Sequence, residues 1–174
     1  MGIKEILFSI FIRYAILVLL ALNNLWLFYL IFTPLTIYPV LFLLGLFFDV
    51  SIQEGVIRVN DCFPMQVIGP CIAASAYYLL LILNLSIPNQ TLLRRIKMIS
   101  FAFISFLIIN IIRIFVLAML FISKSSLFDI THMVFWYALS ILFVIGIWFL
   151  EVRIFKLKEI PLYSDIKSIY NSSG

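Results

Sequence analysis

The chain has 174 residues, of which 65% are hydrophobic and only 11% are charged, with a net charge of +4 and a mean hydropathy of +1.21. A soluble domain carries about twice that charged fraction, and one of this size could not enclose so many large apolar side chains in its core. These values exclude an ordinary soluble domain and indicate an all-α, polytopic transmembrane helix bundle that forms a single domain.

Stretches without Asp, Glu, Lys or Arg mark the predicted spans. They cover residues 14–48, 62–93, 98–112 and 130–150, and a helix needs about 20 mostly apolar residues to cross the hydrocarbon layer. Thr33-Pro34 divides the first stretch, because proline lacks the amide hydrogen that a helix interior uses. We therefore predict about five spans. They lie near residues 6–33, 35–50, 64–87, 96–122 and 130–150, with residues 151–174 as a tail.

The basic residues predict the orientation in the plasma membrane. Two predicted spans separate a first cluster from the basic tail, so both lie on one side, which the positive-inside rule makes cytoplasmic. The residues concerned are Arg94, Arg95, Lys97, Arg153, Lys156, Lys158 and Lys167. Because they flank spans, lipid headgroups explain them and no nucleic-acid partner is expected. Five spans place the N-terminus outside. Lys4 and Arg13 fit that poorly, so a re-entrant second segment with the N-terminus inside stays open as an alternative.

Arg113 is the one charged residue between Met98 and Ser123. A fixed charge at membrane depth costs about 2.5–3.5 kcal/mol on insertion scales, so it predicts a partner in a buried, functional cavity. Asn110 lies three residues earlier and therefore on the same helix face, where it could orient the guanidinium or donate to a substrate carbonyl. The alternative is a purely structural contact of Arg113 with a lipid phosphate or with Asp129.

Three chemically capable residues are predicted to lie on one membrane face. Cys62 precedes the third span, Arg113 lies in the second half of the fourth, and His132, the only histidine, begins the fifth. That face is opposite the basic cluster and hence extracytoplasmic. The Arg113 backbone lies nine residues before Ile122, or about 13 Å below the helix end, and its side chain can extend outward.

These residue types suit acyl transfer from a peptide bond. A nearby cation favours the nucleophilic thiolate of Cys62, and Arg113 can also hold an oxyanion. His132 can take the thiol proton and return it to a leaving amine. Asp61 is either a solvated acid or a residue that orients His132, and Cys71 is interpreted as a small buried apolar residue. With one histidine and no HExxH pattern, we expect no metal and no cofactor.

The motifs resemble the exosortase/archaeosortase family of membrane cysteine transpeptidases. The resemblance covers roughly residues 57–150. Its elements are Asn60-Asp61-Cys62 opening a span, Asn110-Ile-Ile-Arg113-Ile within a span, and Thr131-His132 opening the last span.

The resemblance implies an activity and its partners. The enzyme would recognise C-terminal sorting signals of membrane-anchored surface proteins, made of a short motif, a transmembrane helix and a basic cluster. It would cleave near the motif and pass the new C-terminus to an acceptor, expected to be a membrane lipid. The implied roles are nucleophile for Cys62, electrostatic stabiliser for Arg113 and general acid/base for His132. Family members often have Ser-Gly or Thr-Gly after the cysteine, whereas Phe63-Pro64 follows Cys62.

Two alternatives belong to other functional classes. Phe63-Pro64 favours a catalytically impaired binding or assembly partner for the same surface proteins, since Pro64 offers no amide hydrogen. A thiol-redox protein would use Cys62 and Cys71. The spacing argues against it, because nine residues of helix separate two sulfurs by about 13 Å.

Overall fold

The computed structural model describes residues 3–22, 24–53, 56–60, 63–88, 90–135 and 140–157, and most of these are helical. The elements in chain order are α1 (Ile3–Leu22), α2 (Trp26–Gly45), β1 (Val50–Gln53), β2 (Val56–Val59), β3 (Phe63–Gln66), α3 (Gly69–Ile72), α4 (Ala74–Leu85), α5 (Leu92–Ile122), α6 (Phe128–Val134) and α7 (Ser140–Ile154). The predicted helical architecture is confirmed, but it is not all-α.

The first helix break lies earlier than the sequence predicted. Asn24 and Leu25 have left-handed backbone conformations, with φ of 49° and 58°, and these separate α1 from α2. Asparagine adopts that conformation more readily than most residues. Pro34, which we expected to end a span, lies inside α2, as does Pro39. The predicted boundary at Thr33-Pro34 is therefore wrong.

A three-stranded antiparallel sheet, in the order β1-β2-β3, follows α2. Val50 pairs with Val59 across the first two strands, and Val59 pairs with Phe63 across the next two. In β2, Ile57 and Val59 are buried while Arg58 between them is exposed, which is the alternation of a strand with one covered face. The sequence did not predict this sheet, because its strands are only four residues long and lie between apolar helices.

Side-chain contacts fix the relative directions of the helices. Phe32 of α2 lies 5.5 Å from Phe103, and Phe47, just after α2, lies 6.2 Å from Phe115, measured between ring centroids. Helix α2 therefore runs parallel to α5. Helix α4 runs antiparallel to α5, because Arg95, near the start of α5, donates to the carbonyl of Asn84, near the end of α4.

Helix α1 runs in the same direction as α2. Arg13 donates to the Leu85 carbonyl at 2.9 Å, and one turn later the Leu17 carbonyl accepts from the Tyr78 hydroxyl at 3.0 Å. Residue numbers in α4 therefore decrease along these contacts while those in α1 increase, so the two helices are antiparallel. Because α4 is antiparallel to α5 and α2 is parallel to α5, α1 is parallel to α2. The two N-terminal helices do not form a hairpin.

The bundle has two ends that differ in character. The sheet end carries the sheet, the end of α2 and the end of α5. The opposite end carries the end of α4, the start of α5 and the end of α7, where Phe155 lies 6.0 Å from Phe101. There Glu151, which is 0% exposed, accepts a hydrogen bond from Asn84 Nδ2 at 3.1 Å. Arg13 and Arg95 both donate to the Leu85 carbonyl at this end.

Among the described residues, two helices are long and apolar enough to cross a membrane, namely α2 and α5. Residues 7–22 and 69–85 form shorter apolar helical segments. Large apolar side chains such as Phe8, Phe42 and Phe149 are exposed on the outer surface, which suits contact with lipid rather than water.

Candidate functional site

A cavity of about 270 Å³ lies at the sheet end of the bundle. Helices α2 and α5 form two of its walls, with Leu44 and Ala118 among the apolar side chains. The sheet contributes Ile57 and Met65, and α6 closes a further side with Phe128. The cavity is therefore mostly apolar, which strengthens any electrostatic interaction inside it.

Among the described residues, three polar or reactive ones border this cavity: Cys71, Arg113 and His132. They come from α3, α5 and α6, which are separated in the sequence but meet at the sheet end. The structure thus brings Arg113 and His132 to the same cavity. Arg113 lies on the second half of α5, whereas Arg94 and Arg95 lie at the start of that helix.

Arg113 is largely buried, with 8% of its surface exposed. It lies on the same face of α5 as Phe106 and Asn110, at the spacing of successive turns, and all three are buried. Its guanidinium is close enough to interact electrostatically with the Cys71 thiol and the Tyr77 hydroxyl. The charge therefore lies inside the bundle and not on its outer surface.

Cys71 lies in α3, a single helical turn, and its side chain is partly buried and free of any disulfide. Asn110 Nδ2 donates a hydrogen bond to the Cys71 carbonyl at 2.9 Å. This bond ties the turn that carries the thiol to the helix that carries Arg113. Asn110 thus contacts the cysteine backbone, whereas we expected it to orient the guanidinium or donate to substrate.

The backbone changes direction immediately after this turn. Ala73 has φ 56° and ψ 43°, a left-handed conformation that separates α3 from α4. Such a conformation is strained for a residue with a Cβ atom and favours glycine. The break allows Cys71 to border the cavity while the side chains of α4 pack into the core.

His132 lies in the last turn of α6, and its side chain is exposed at the edge of the cavity. Its ring stacks on Phe128 at 5.7 Å between centroids. The sequence placed it at the start of the last predicted span, residues 130–150. In the structure it lies in α6, which precedes α7, and residues 136–139 lie outside the described residues.

Cys62 and Asp61, predicted as nucleophile and supporting acid, lie outside the described residues. We interpreted Cys71 as a small buried apolar residue and so did not predict that it borders the same cavity as Arg113. The depth of Cys71 within its predicted span could have indicated that it lies near Arg113. Cys71 lies seven residues into the predicted span at 64–87, or about 10 Å deep, which is close to the depth estimated for Arg113.

No protein-family model, curated protein or solved structure matches the chain. The chemistry must therefore be inferred from the residues of the cavity. Over the described ranges, no three His, Cys, Asp or Glu side chains lie close enough together to hold a metal ion. A thiol, a guanidinium and an imidazole on one apolar cavity can support nucleophilic attack, oxyanion stabilisation and proton transfer.

Proposed function

We propose that the chain is a multi-pass plasma-membrane cysteine transpeptidase of the exosortase/archaeosortase type. It would cleave the C-terminal sorting signal of surface proteins and transfer the new C-terminus to an acceptor, a membrane lipid. The observation that supports this proposal is the cavity shared by Cys71, Arg113 and His132. In the proposal the nucleophile is Cys71, which borders the cavity together with Arg113. We predicted that role for Cys62, which lies outside the described residues.

The backbone after Cys71 supports this reassignment. The family resemblance implies a small hydroxyl residue and then glycine after the cysteine. Ala73, two residues after Cys71, has the left-handed conformation that glycine adopts at no steric cost. Position 73 therefore has the backbone geometry expected of that glycine, although its residue is alanine.

The helix directions support four crossings with both termini in the cytoplasm. Helices α1 and α2 advance in the same direction and together make the first crossing. Helix α3 with α4, helix α5, and α7 would make the other three. Because Arg94 and Arg95 lie at the opposite end of the bundle from the cavity, the positive-inside rule makes the cavity extracytoplasmic. This topology also leaves Lys4 on the cytoplasmic side, in agreement with its charge.

The first chemical step is formation of a thioester. The Cys71 thiolate attacks the scissile carbonyl carbon, and the carbonyl electron pair moves onto oxygen. Arg113 stabilises the thiolate before attack and the oxyanion after it, without giving up its own proton. Collapse of the oxyanion breaks the C–N bond. His132, which has taken the proton of the Cys71 thiol, donates that proton to the departing amine, and the amine leaves with the C-terminal fragment.

The second step transfers the acyl group. A hydroxyl or amine of the acceptor lipid attacks the thioester, and His132 takes the proton released by that nucleophile. The Cys71 thiolate leaves and is again stabilised by Arg113. The apolar walls of the cavity, such as Leu44 and Ala118, limit entry of water and so favour transfer over hydrolysis.

Reconstitution tests this function. The purified protein is placed in lipid vesicles with a tagged protein that ends in a short motif, an apolar helix and a basic cluster. We expect shortening of the tagged protein and a lipid adduct on its new C-terminus, detected by mass spectrometry. Arg113→Gln and His132→Gln should abolish both products, while Arg58→Gln, a change on the exposed face of β2, should not. Shortening that is unaffected by Arg113→Gln would contradict the mechanism.

A second candidate is a sorting-signal receptor without catalytic activity. Ile72, which follows Cys71, is buried and carries no hydroxyl group, so it cannot supply the side-chain donor that Ser or Thr would supply. Wild-type protein that captures the tagged protein in vesicles but never shortens it would favour this candidate.

A further inference from the structure

Tyr77 of α4 is a buried polar residue that the proposed mechanism does not use. It is 0% exposed. Its hydroxyl makes no hydrogen bond within the part of the chain that the structure describes. A buried hydroxyl without a partner costs about 1–3 kcal/mol, and tyrosine usually finds a partner when it is buried. The position of Tyr77 therefore calls for an explanation other than packing.

Aromatic neighbours hold the Tyr77 ring in place. It stacks on Phe32 with ring centroids 3.6 Å apart, and it meets Phe106 edge-on at 4.9 Å and Phe103 at 5.6 Å. These contacts come from α2 and α5, so the ring is enclosed from two sides. Its hydroxyl consequently has a fixed position at low entropic cost.

The Tyr77 hydroxyl and the Arg113 guanidinium interact electrostatically, and both side chains are buried. Phe106, which contacts the ring, is on the same face of α5 as Arg113. Arg113 lines the cavity, and Tyr77 is not among the lining residues. No hydrogen bond joins the two groups in this structure. A hydroxyl oxygen can accept an N–H of a guanidinium, and catalytic hydrogen bonds often form fully only when substrate is bound.

We propose that Tyr77 is a positioning residue that holds the Arg113 guanidinium toward the Cys71 thiol through its hydroxyl. This inference rests on the proposed function of Arg113, but it adds a residue that does not itself touch substrate. As a consequence, stabilisation of the Cys71 thiolate by Arg113 depends on the hydroxyl oxygen of Tyr77 in α4.

The test uses alkylation of Cys71, which needs no substrate. The full-length protein with Cys62→Ala is reacted with a small neutral maleimide over a range of pH. Tyr77→Phe keeps the stacked ring and removes one oxygen. Tyr78→Phe is the matched control, because the Tyr78 hydroxyl already donates to the Leu17 carbonyl at 3.0 Å. We expect Tyr77→Phe to slow alkylation about tenfold and move its pH profile to higher pH, and Tyr78→Phe to leave both unchanged.

A double-variant comparison separates this inference from the proposed function. If Tyr77 acts through Arg113, Tyr77→Phe should have no further effect on alkylation once Arg113→Gln is present. Slow alkylation by Arg113→Gln with normal alkylation by Tyr77→Phe would overturn the positioning role alone. Normal alkylation by Arg113→Gln would contradict the role of Arg113 in the proposed function. A Tyr77→Phe protein that fails to fold would show that the hydroxyl serves stability, which also overturns the inference.

Discussion

Asn110 Nδ2 donates to the Cys71 carbonyl at 2.9 Å and so joins the longest helix of the bundle to the turn that carries the thiol. Asn110 is 1% exposed and lies one helical turn before Arg113. A single buried amide therefore connects the turn that carries the proposed nucleophile to the helix that carries Arg113.

Replacing Asn110 should affect both stability and thiol reactivity. Asn110→Leu leaves the Cys71 carbonyl without this donor, so the free energy of unfolding should fall by about 1–3 kcal/mol. Alkylation of Cys71 should also slow, because the turn is no longer tied to α5. Asn84→Leu is the matched control: it removes another buried asparagine, at the opposite end of the bundle. Thermal unfolding in detergent and maleimide kinetics measure the two effects. Equal alkylation rates in both variants would contradict the link.

Ala73 should tolerate glycine better than any branched residue. Its left-handed conformation, with φ 56°, costs about 1–3 kcal/mol for a non-glycine residue. We expect Ala73→Gly to retain or raise the unfolding temperature and to leave the alkylation rate of Cys71 unchanged. Ala73→Val should lower both the unfolding temperature and the alkylation rate. Gly146 provides the control for glycine–alanine exchange in an ordinary helix, since a Cβ atom there meets nothing within 4 Å. Gly146→Ala should be neutral or mildly stabilising. If Ala73→Gly destabilised the protein strongly, the backbone conformation would be wrong.

The four-crossing topology can be tested by labelling single cysteines in cells. In a background with Cys62→Ala and Cys71→Ala, Ser126→Cys lies after α5 at the sheet end, and Leu93→Cys lies at the start of α5. Both positions are exposed. A membrane-impermeant maleimide should label Ser126→Cys in intact cells, but Leu93→Cys only after permeabilisation.

The N-terminus decides between four and five crossings. A peptide tag fused ahead of Met1 should be protected from external protease in intact cells, as should a tag after Gly174. Cleavage of the N-terminal tag alone would restore the five-span arrangement with its N-terminus outside.

The sequence predicted the mostly helical class and the burial of Arg113, since both follow from hydropathy and the cost of a charge in an apolar segment. It could not predict the helix break at Asn24, because a left-handed backbone conformation has no distinct pattern in an apolar sequence. Pro34, which lies in the same stretch, was the more obvious helix breaker. It also misjudged Cys71. A cysteine inside an apolar span resembles a core residue, and only the contact with Asn110 and the left-handed Ala73 reveal how the thiol reaches the cavity.

The opposite end of the bundle should contribute to stability without affecting the cavity. Glu151 is fully buried and accepts from Asn84 Nδ2 at 3.1 Å. Glu151→Leu removes that acceptor and should lower the free energy of unfolding by about 1–3 kcal/mol, while Glu151→Gln, which keeps an acceptor oxygen, should cost less. The double variant with Asn84→Leu should be less destabilised than the sum of the two single variants. Strict additivity would show that the pair is not coupled. Alkylation of Cys71 should be normal in each variant.

The most direct test of the proposed mechanism compares the two cysteines in the vesicle assay. Cys71→Ala and Cys62→Ala are each reconstituted with the tagged sorting-signal protein, and insertion is checked by the amount of each variant in the vesicles. We predict that Cys71→Ala yields no shortened product and no thioester-linked intermediate by intact mass, whereas Cys62→Ala processes the substrate. Normal processing by Cys71→Ala would contradict the assignment of Cys71 as the nucleophile.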